Sequence, residues 1–144
     1  MKAMEISKTG LDVEWRRLEV IAENIANAST ARTALGDAYR PMRLLSGPKA
    51  AFGQYLGKDG KAAASAQALA GVEVYGVEPV NLPPRMVYEP ANPQADAKGF
   101  VSYPGFDHAG EMTLMMKTAR AYEANVVAMN MARQMYAKAL ELGR

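Results

Sequence analysis

All eight prolines of this chain of 144 residues fall between Pro41 and Pro104, and ten of its twelve glycines between Gly36 and Gly110. Proline removes a backbone donor and clashes with the preceding turn, and glycine adds conformational freedom, so both interrupt long helices. The ends of the chain are almost free of such breakers and the middle is full of them. The pattern predicts one helix at each end and a turn-rich, β-structured body between them. The expected fold class is α+β, with long N- and C-terminal helices pairing antiparallel in a coiled-coil-like manner around a small β-rich middle domain. The corresponding domains are 1–30, 31–110 and 111–144.

The first helix is expected from about Met4 to Ala28. Met4, Leu11, Leu18 and Ile25 recur every seven residues, and Ile21 and Ala28 occupy the second seam position. Trp15 and Ala22 widen the stripe, while Glu5, Lys8, Asp12, Arg16, Arg17, Glu19 and Glu23 fall mostly off it. One apolar face with a period near 3.5 is the signature of a helix that packs along another helix. Gly10 is a weak point, costing about 1 kcal/mol relative to alanine.

The last helix is expected from Glu111 to Leu142, a stretch with neither glycine nor proline. At 1.5 Å per residue it is roughly 48 Å long. Met112, Ala119, Val126 and Leu140 repeat on one register, with Arg133 breaking it, and Met115, Tyr122, Met129 and Tyr136 repeat on the other. Its long seam requires another long helix, and the N-terminal segment is the candidate within the chain. Leu114, Met116, Val127 and Met131 lie off both registers, and a helix apolar on more than one side is buried on more than one side. So small a chain lacks the material to surround it, which points to packing against other chains.

Between the helices, Tyr39–Leu45, Val72–Val77, Arg85–Tyr88 and Phe100–Tyr103 read as short strands. Pro83, Pro84, Pro90 and Pro93 restrict their neighbours to strand edges and ends. Lys61–Ala70 is alanine-rich and is expected as a low-complexity loop.

Chemistry is sparse. There is no cysteine, which removes thiolate catalysis and thiolate metal sites, and His108 is the single histidine. Its neighbour Asp107 cannot orient it across space, so His108 is expected to be a loop or capping residue rather than an acid–base group. The carboxylates Glu73 with Glu78 and Glu89 with Asp96 have nothing in the sequence to set them across a cleft. No phosphate loop, HExxH or EF-hand spacing occurs. Seventeen Lys and Arg against fifteen Asp and Glu is too even a balance for a nucleic-acid binder. Five acidic residues between Glu5 and Glu23 interrupt any signal-peptide core, and no run of eighteen apolar residues exists. The expectation is a protein that is not an enzyme, with no cofactor, metal, nucleic acid or small-molecule substrate.

Three stretches resemble the bacterial flagellar basal-body rod proteins. Asn24-Ile25-Ala26-Asn27-Ala28-Ser29-Thr30 is similar to their N-I/L-A-N-x-x-T signature, and the stretched turn from Ala31 to Arg40 resembles the proximal rod subfamily. Pro84-Arg85-Met86-Val87-Tyr88-Glu89-Pro90, continuing to Gly99-Phe100-Val101, resembles that subfamily's P-x-R-x-V-Y-x-P-x-H-P-x-A-D-x-x-G-Y-V segment. Asn92 stands there for the usual His, and Phe100 for the usual Tyr. The customary P-N that follows is Pro104-Gly105 here. Ala119-Arg120-Ala121-Tyr122-Glu123-Ala124-Asn125 resembles the C-terminal R-A-Y-E-A-N signature.

The resemblance implies a structural subunit of the periplasm-spanning rod, a helically assembled drive shaft that passes torque from motor to hook. Residues 1–30 and 111–144 then form its axial core. Implied partners are other copies of the chain, other rod proteins, the adaptor at the rod base and the type III export apparatus, which secretes such chains without a cleaved signal. Subunit packing is expected at Leu11, Leu18, Ile21, Asn24, Ile25 and Asn27 of the first helix and Met115, Tyr122, Asn125, Met129 and Tyr136 of the last. The competing reading is a soluble helical adaptor or export chaperone of the same secretion system. A cell-wall enzyme is the more distant alternative.

Overall fold

A computed structural model describes residues 2–31, 36–49 and 71–143. Helix α1 spans Lys2–Ala26, and strands β1 to β4 span Met42–Pro48, Val72–Pro79, Arg85–Tyr88 and Phe100–Tyr103. Helix α2 spans His108–Leu142. The α+β class and the breaker-poor ends are as expected. Strands β1 and β2 form one two-stranded sheet, and β3 and β4 form another. The loop expected at Lys61–Ala70 lies outside the described residues.

Element boundaries differ from the expected ones where specific hydrogen bonds set them. Helix α1 ends at Ala26 because Asn27 folds its amide back onto the Glu23 carbonyl, 2.9 Å away, and so caps the last turn. Helix α2 begins three residues before Glu111: the Glu111 N–H bonds the Asp107 carbonyl at 3.0 Å, so Asp107 occupies the cap position and His108 opens the helix. Strand β1 is displaced toward the C-terminus of the expected Tyr39–Leu45. Pro41 offers no N–H, although its carbonyl accepts from Val80 at 2.8 Å, and the strand continues to Pro48.

By internal packing the chain separates into two compact units. The first consists of Met1–Arg16, Leu45–Gly76 and Ala119–Arg144. In it, Gly10 faces the amide of Asn125 so closely that a Cβ at position 10 would lie 3.0 Å from Asn125 Oδ1. The apparent weak point of α1 is therefore a site of close approach. Nearby, the rings of Trp15 and Tyr122 stand 6.2 Å apart. Thr9 Oγ1 donates to the Ile6 carbonyl at 2.7 Å and accepts from the Val72 N–H at 3.1 Å, tying α1 to the start of β2. The Tyr75 hydroxyl donates to the Pro48 carbonyl at 2.7 Å.

The second unit consists of Arg17–Leu44 and Val77–Thr118. It buries Val20, Ile21, Leu44 and Val101, together with Asn24 and Thr118. Strands β3 and β4 pair antiparallel with Arg85 opposite Tyr103, Val87 opposite Val101 and Tyr88 opposite Phe100. Tyr88 and Phe100 meet edge to face at 5.3 Å, and the Arg85 guanidinium sits 5.9 Å from the Tyr103 ring centre. The connecting loop is held by Asp96, whose Oδ1 accepts from Lys98 and Phe100 N–H groups at 2.8 and 2.9 Å. Gly99 adopts φ +81° with the Tyr88 ring and Pro90 against it, a conformation and a space that exclude any side chain. Asn92 bonds Glu89 Oε2 at 2.9 Å and accepts from Gln94 N–H at 3.0 Å, so the residue that departs from the rod-protein pattern still shapes this turn.

Candidate functional site

The residues expected to pack between subunits fall into three environments. Ile21 and Asn24 are inside the chain, 2 % and 1 % exposed. Leu11, Leu18, Ile25, Asn27, Tyr122, Asn125 and Met129 are half-buried. Met115 and Tyr136 are exposed. The structure thus brings Tyr122 to Trp15 and Asn125 to Gly10 of α1, and leaves Met115 and Tyr136 open.

Asn24 has no polar capacity left for a neighbour. Its Nδ2 donates to the Met42 carbonyl at 2.8 Å and to Glu111 Oε2 at 3.4 Å. Its Oδ1 accepts from the Met42 N–H at 2.8 Å and from the Tyr39 hydroxyl at 3.0 Å. Two donors and two acceptor positions are the full complement of an amide side chain. Asn24 is a fold-organising residue that joins α1, the start of β1 and the start of α2. Ile21 is likewise closed within its own unit, because burying an aliphatic side chain and its neighbouring amide there removes both from any outer surface.

Asn27 works locally. Besides capping α1, its Oδ1 accepts from Thr30 Oγ1 at 3.2 Å, and its carbonyl accepts from the Thr30 N–H at 3.0 Å. The Thr30 carbonyl in turn accepts from the Tyr39 N–H at 3.1 Å. The signature that resembles the rod proteins is therefore a helix-stop and chain-reversal device. Burial, followed by the charges of Glu23 and Glu111, raises the Tyr39 phenol above its ordinary value. Across the β3–β4 hairpin, the hydrogen bond to Glu89 raises Tyr103, with Arg85 opposing.

The largest unsatisfied feature is apolar. Of the 35 residues of α2, only Thr118 is buried. Met112, Leu114, Met115, Met116, Val127, Met131, Met135, Tyr136, Leu140 and Leu142 are all exposed, Met135 by 71 %. Val127, Met131 and Met135 follow one another at i, i+4, i+8, on the opposite side of the helix from Tyr122 and Met129. The sequence reading placed Val127 and Met131 off the main registers but passed over Met135. Its signal was the same four-residue step.

The described residues also enclose clefts. One of about 460 Å³ in the second unit is walled by Val20, Ile21, Leu44, Leu82, Phe106 and Leu114, with Arg17, Arg43, Asp107 and Glu111 also lining it. Among the described residues, no group of three or more His, Asp and Glu side chains is placed to hold a metal ion, and no helix is long and apolar enough to cross a membrane.

Comparison with known proteins follows the same line. The family model for the flagellar basal body rod FlgEFG protein C-terminal region matches residues 97–142, which contain β4 and α2. The flagellar basal-body rod protein FlgC of Salmonella typhimurium is 35 % identical over 144 residues, covering 100 % of this chain and 98 % of the relative. FlgC of Borreliella burgdorferi is 33 % identical, covering 97 % and 95 %, and FlgC of Bacillus subtilis is 31 % identical, covering 99 % and 97 %. Likeness that runs the full length of both chains, together with two terminal helices, a small strand-built middle and a long helix dressed for packing, assigns this chain to the FlgC family of flagellar basal-body rod proteins.

Proposed function

We propose that this chain is a structural subunit of the proximal part of the flagellar rod, joining copies of itself and other rod proteins in a helical drive shaft that carries torque from motor to hook. The observation that carries the reading is the exposed apolar length of α2, a helix of 35 residues with one buried side chain. Water contact along such a face is unfavourable by about 25 cal/mol per Å² of apolar surface, so a partner that covers it is strongly stabilising. Contacts made head to tail without closing a ring generate a helical filament.

Within the subunit, residues 1–30 and 111–144 form the axial core as an antiparallel coiled-coil-like pair, and 31–110 form the turn-rich β domain. The contacts of Gly10 with Asn125 and of Trp15 with Tyr122 support that pairing. Leu11, Leu18, Ile25, Met115, Met129 and Tyr136 then line the seams between subunits, joined by Val127, Met131 and Met135. Tyr122 and Asn125 serve the pairing of the two helices, while Asn24 and Asn27 act by fixing the end of α1. The chain leaves the cell through the type III export apparatus and meets the adaptor at the rod base.

The test is location and stoichiometry. A functional tagged copy should co-purify with intact basal bodies in several copies and appear as rod density by electron microscopy. Retention in the cytoplasm with a single client would instead identify an export chaperone. Clearing of cell-wall material in a gel overlay would identify an enzyme.

A further inference from the structure

Two uncovered surfaces of the chain match each other in chemistry. In the second unit, the groove of about 460 Å³ has a floor of Val20, Ile21 and Leu44, all buried. Leu82 and Leu114 form its lips and are 50 % and 41 % exposed. Its charged lining residues are two of each sign, Arg17 and Arg43 with Asp107 and Glu111, so it selects neither an acidic nor a basic partner. In the first unit, Val127, Met131 and Met135 step by four along α2 and are exposed. Rows spaced four apart are the ridges by which helices enter grooves, and this one is about 12 Å long. It carries no charge, and the unbranched side chain of methionine adapts to an irregular cavity.

We propose that this ridge of one copy seats in the groove of a second copy, a head-to-tail contact between two different surfaces of the same chain. The inference rests on the reading of the chain as a self-assembling rod subunit, and it adds which surfaces meet. The occupant is not the chain's own ridge. Leu114 on the lip and Val127 on the ridge belong to one continuous helix, thirteen residues and about 20 Å of axis apart. An apolar ridge and an apolar groove open on one molecule are each unfavourable in water, and one contact between copies covers both. A copy that has used its ridge still offers its groove, so the contact repeats as an open series, which is the condition for a filament.

The chain has no cysteine, so introduced ones report alone. Met131→Cys and Leu82→Cys are placed together in the full chain, and basal bodies assembled from it are oxidised. A disulfide needs Cα atoms within about 7 Å, so a bond between these positions reports seating directly. The expected result is a ladder of dimers, trimers and longer products made of this chain alone, and none from either single variant. The proposal is overturned by an incorporated double variant that cross-links no more than the single ones, or by Met131→Cys alone giving dimers, ridge against ridge. Products that stop at the dimer, or Leu82→Cys linking to a different protein, overturn it equally. A second measurement needs no basal body. Met131→Asp and Leu82→Asp each disable one side, so each purified variant should sediment as a monomer at high concentration and their mixture as a one-to-one pair. A mixture that stays monomeric overturns the proposal as well. Absence of the parent chain from basal bodies would refute the rod reading instead, and the sedimentation result would still decide the contact.

Discussion

Helices α1 and α2 look alike in sequence, each with apolar residues repeating every seven positions, yet they use those residues differently. Helix α1 buries Val13, Val20, Ile21 and Asn24 among its 25 residues, whereas α2, ten residues longer, buries Thr118 alone. Seven-residue spacing therefore reports that a helix will pack, and does not report against what. In α1 the polar Asn24 sits deeper than most of the leucines around it, because four hydrogen bonds replace the water it gives up. In α2 the large side chains stay in water until something else covers them. One helix spends its apolar residues on the fold, and the other leaves most of its own exposed.

The most direct way to break that contrast is to place a charge on the exposed surface of α2. Val127→Asp or Met131→Asp should leave monomer stability within about 0.5 kcal/mol, since both positions are exposed. Assembly should be lost, because an unpaired carboxylate in a buried interface costs several kcal/mol. Swimming in soft agar and rod density in isolated basal bodies read this out, and normal motility of both variants would remove α2 as the assembly surface.

The converse applies to α1. Asn24→Leu leaves the Met42 N–H and carbonyl and the Tyr39 hydroxyl without their partner, and should lower monomer stability by about 3 kcal/mol in urea denaturation. A change under about 0.5 kcal/mol would mean that Asn24 does not organise the fold.

A finer comparison concerns Gly10. Alanine favours a helix over glycine by about 1 kcal/mol, but its Cβ would press on the Asn125 amide at 3.0 Å. Gly10→Ala should therefore destabilise the parent chain by about 1 kcal/mol and stabilise the Asn125→Ala background by a similar amount. Additive effects in this double-mutant cycle would contradict the contact.

The smallest effect is the alkaline limb. Tyr39 has its phenol raised in the folded chain above the ordinary 10.0. The stabilising contribution of its neutral form is fully present below about pH 10 and is lost as pH rises through the raised value, because the unfolded chain ionises first. Tyr39→Phe should flatten the fall in stability measured between about pH 9 and pH 11. An unchanged slope would place the titration elsewhere.

Much of the architecture was legible in the chain itself. Proline and glycine clustering located the two helices and the strand-built middle, since a missing N–H and an absent Cβ act on the backbone wherever they occur. β3 and β4 were read to the residue, because Pro83, Pro84, Pro90 and Pro104 bracket them closely. Boundaries fixed by distant groups were not legible. The start of β1 depends on Asn24, eighteen residues away, whose Oδ1 accepts from the Met42 N–H.

The candidate surface divides the same way. Periodicity and the N-I-A-N and R-A-Y-E-A-N stretches, by themselves, determined that the ends of the chain are amphipathic helices with packing to do, because spacing along a helix fixes which residues share a face. Only the tertiary structure decided which faces remain free. It drew Ile21 and Asn24 inside, set Tyr122 and Asn125 against Trp15 and Gly10, and left Val127, Met131 and Met135 in water. Burial is a property of what lies opposite a side chain in space, and residues far apart in the sequence supply that opposite surface.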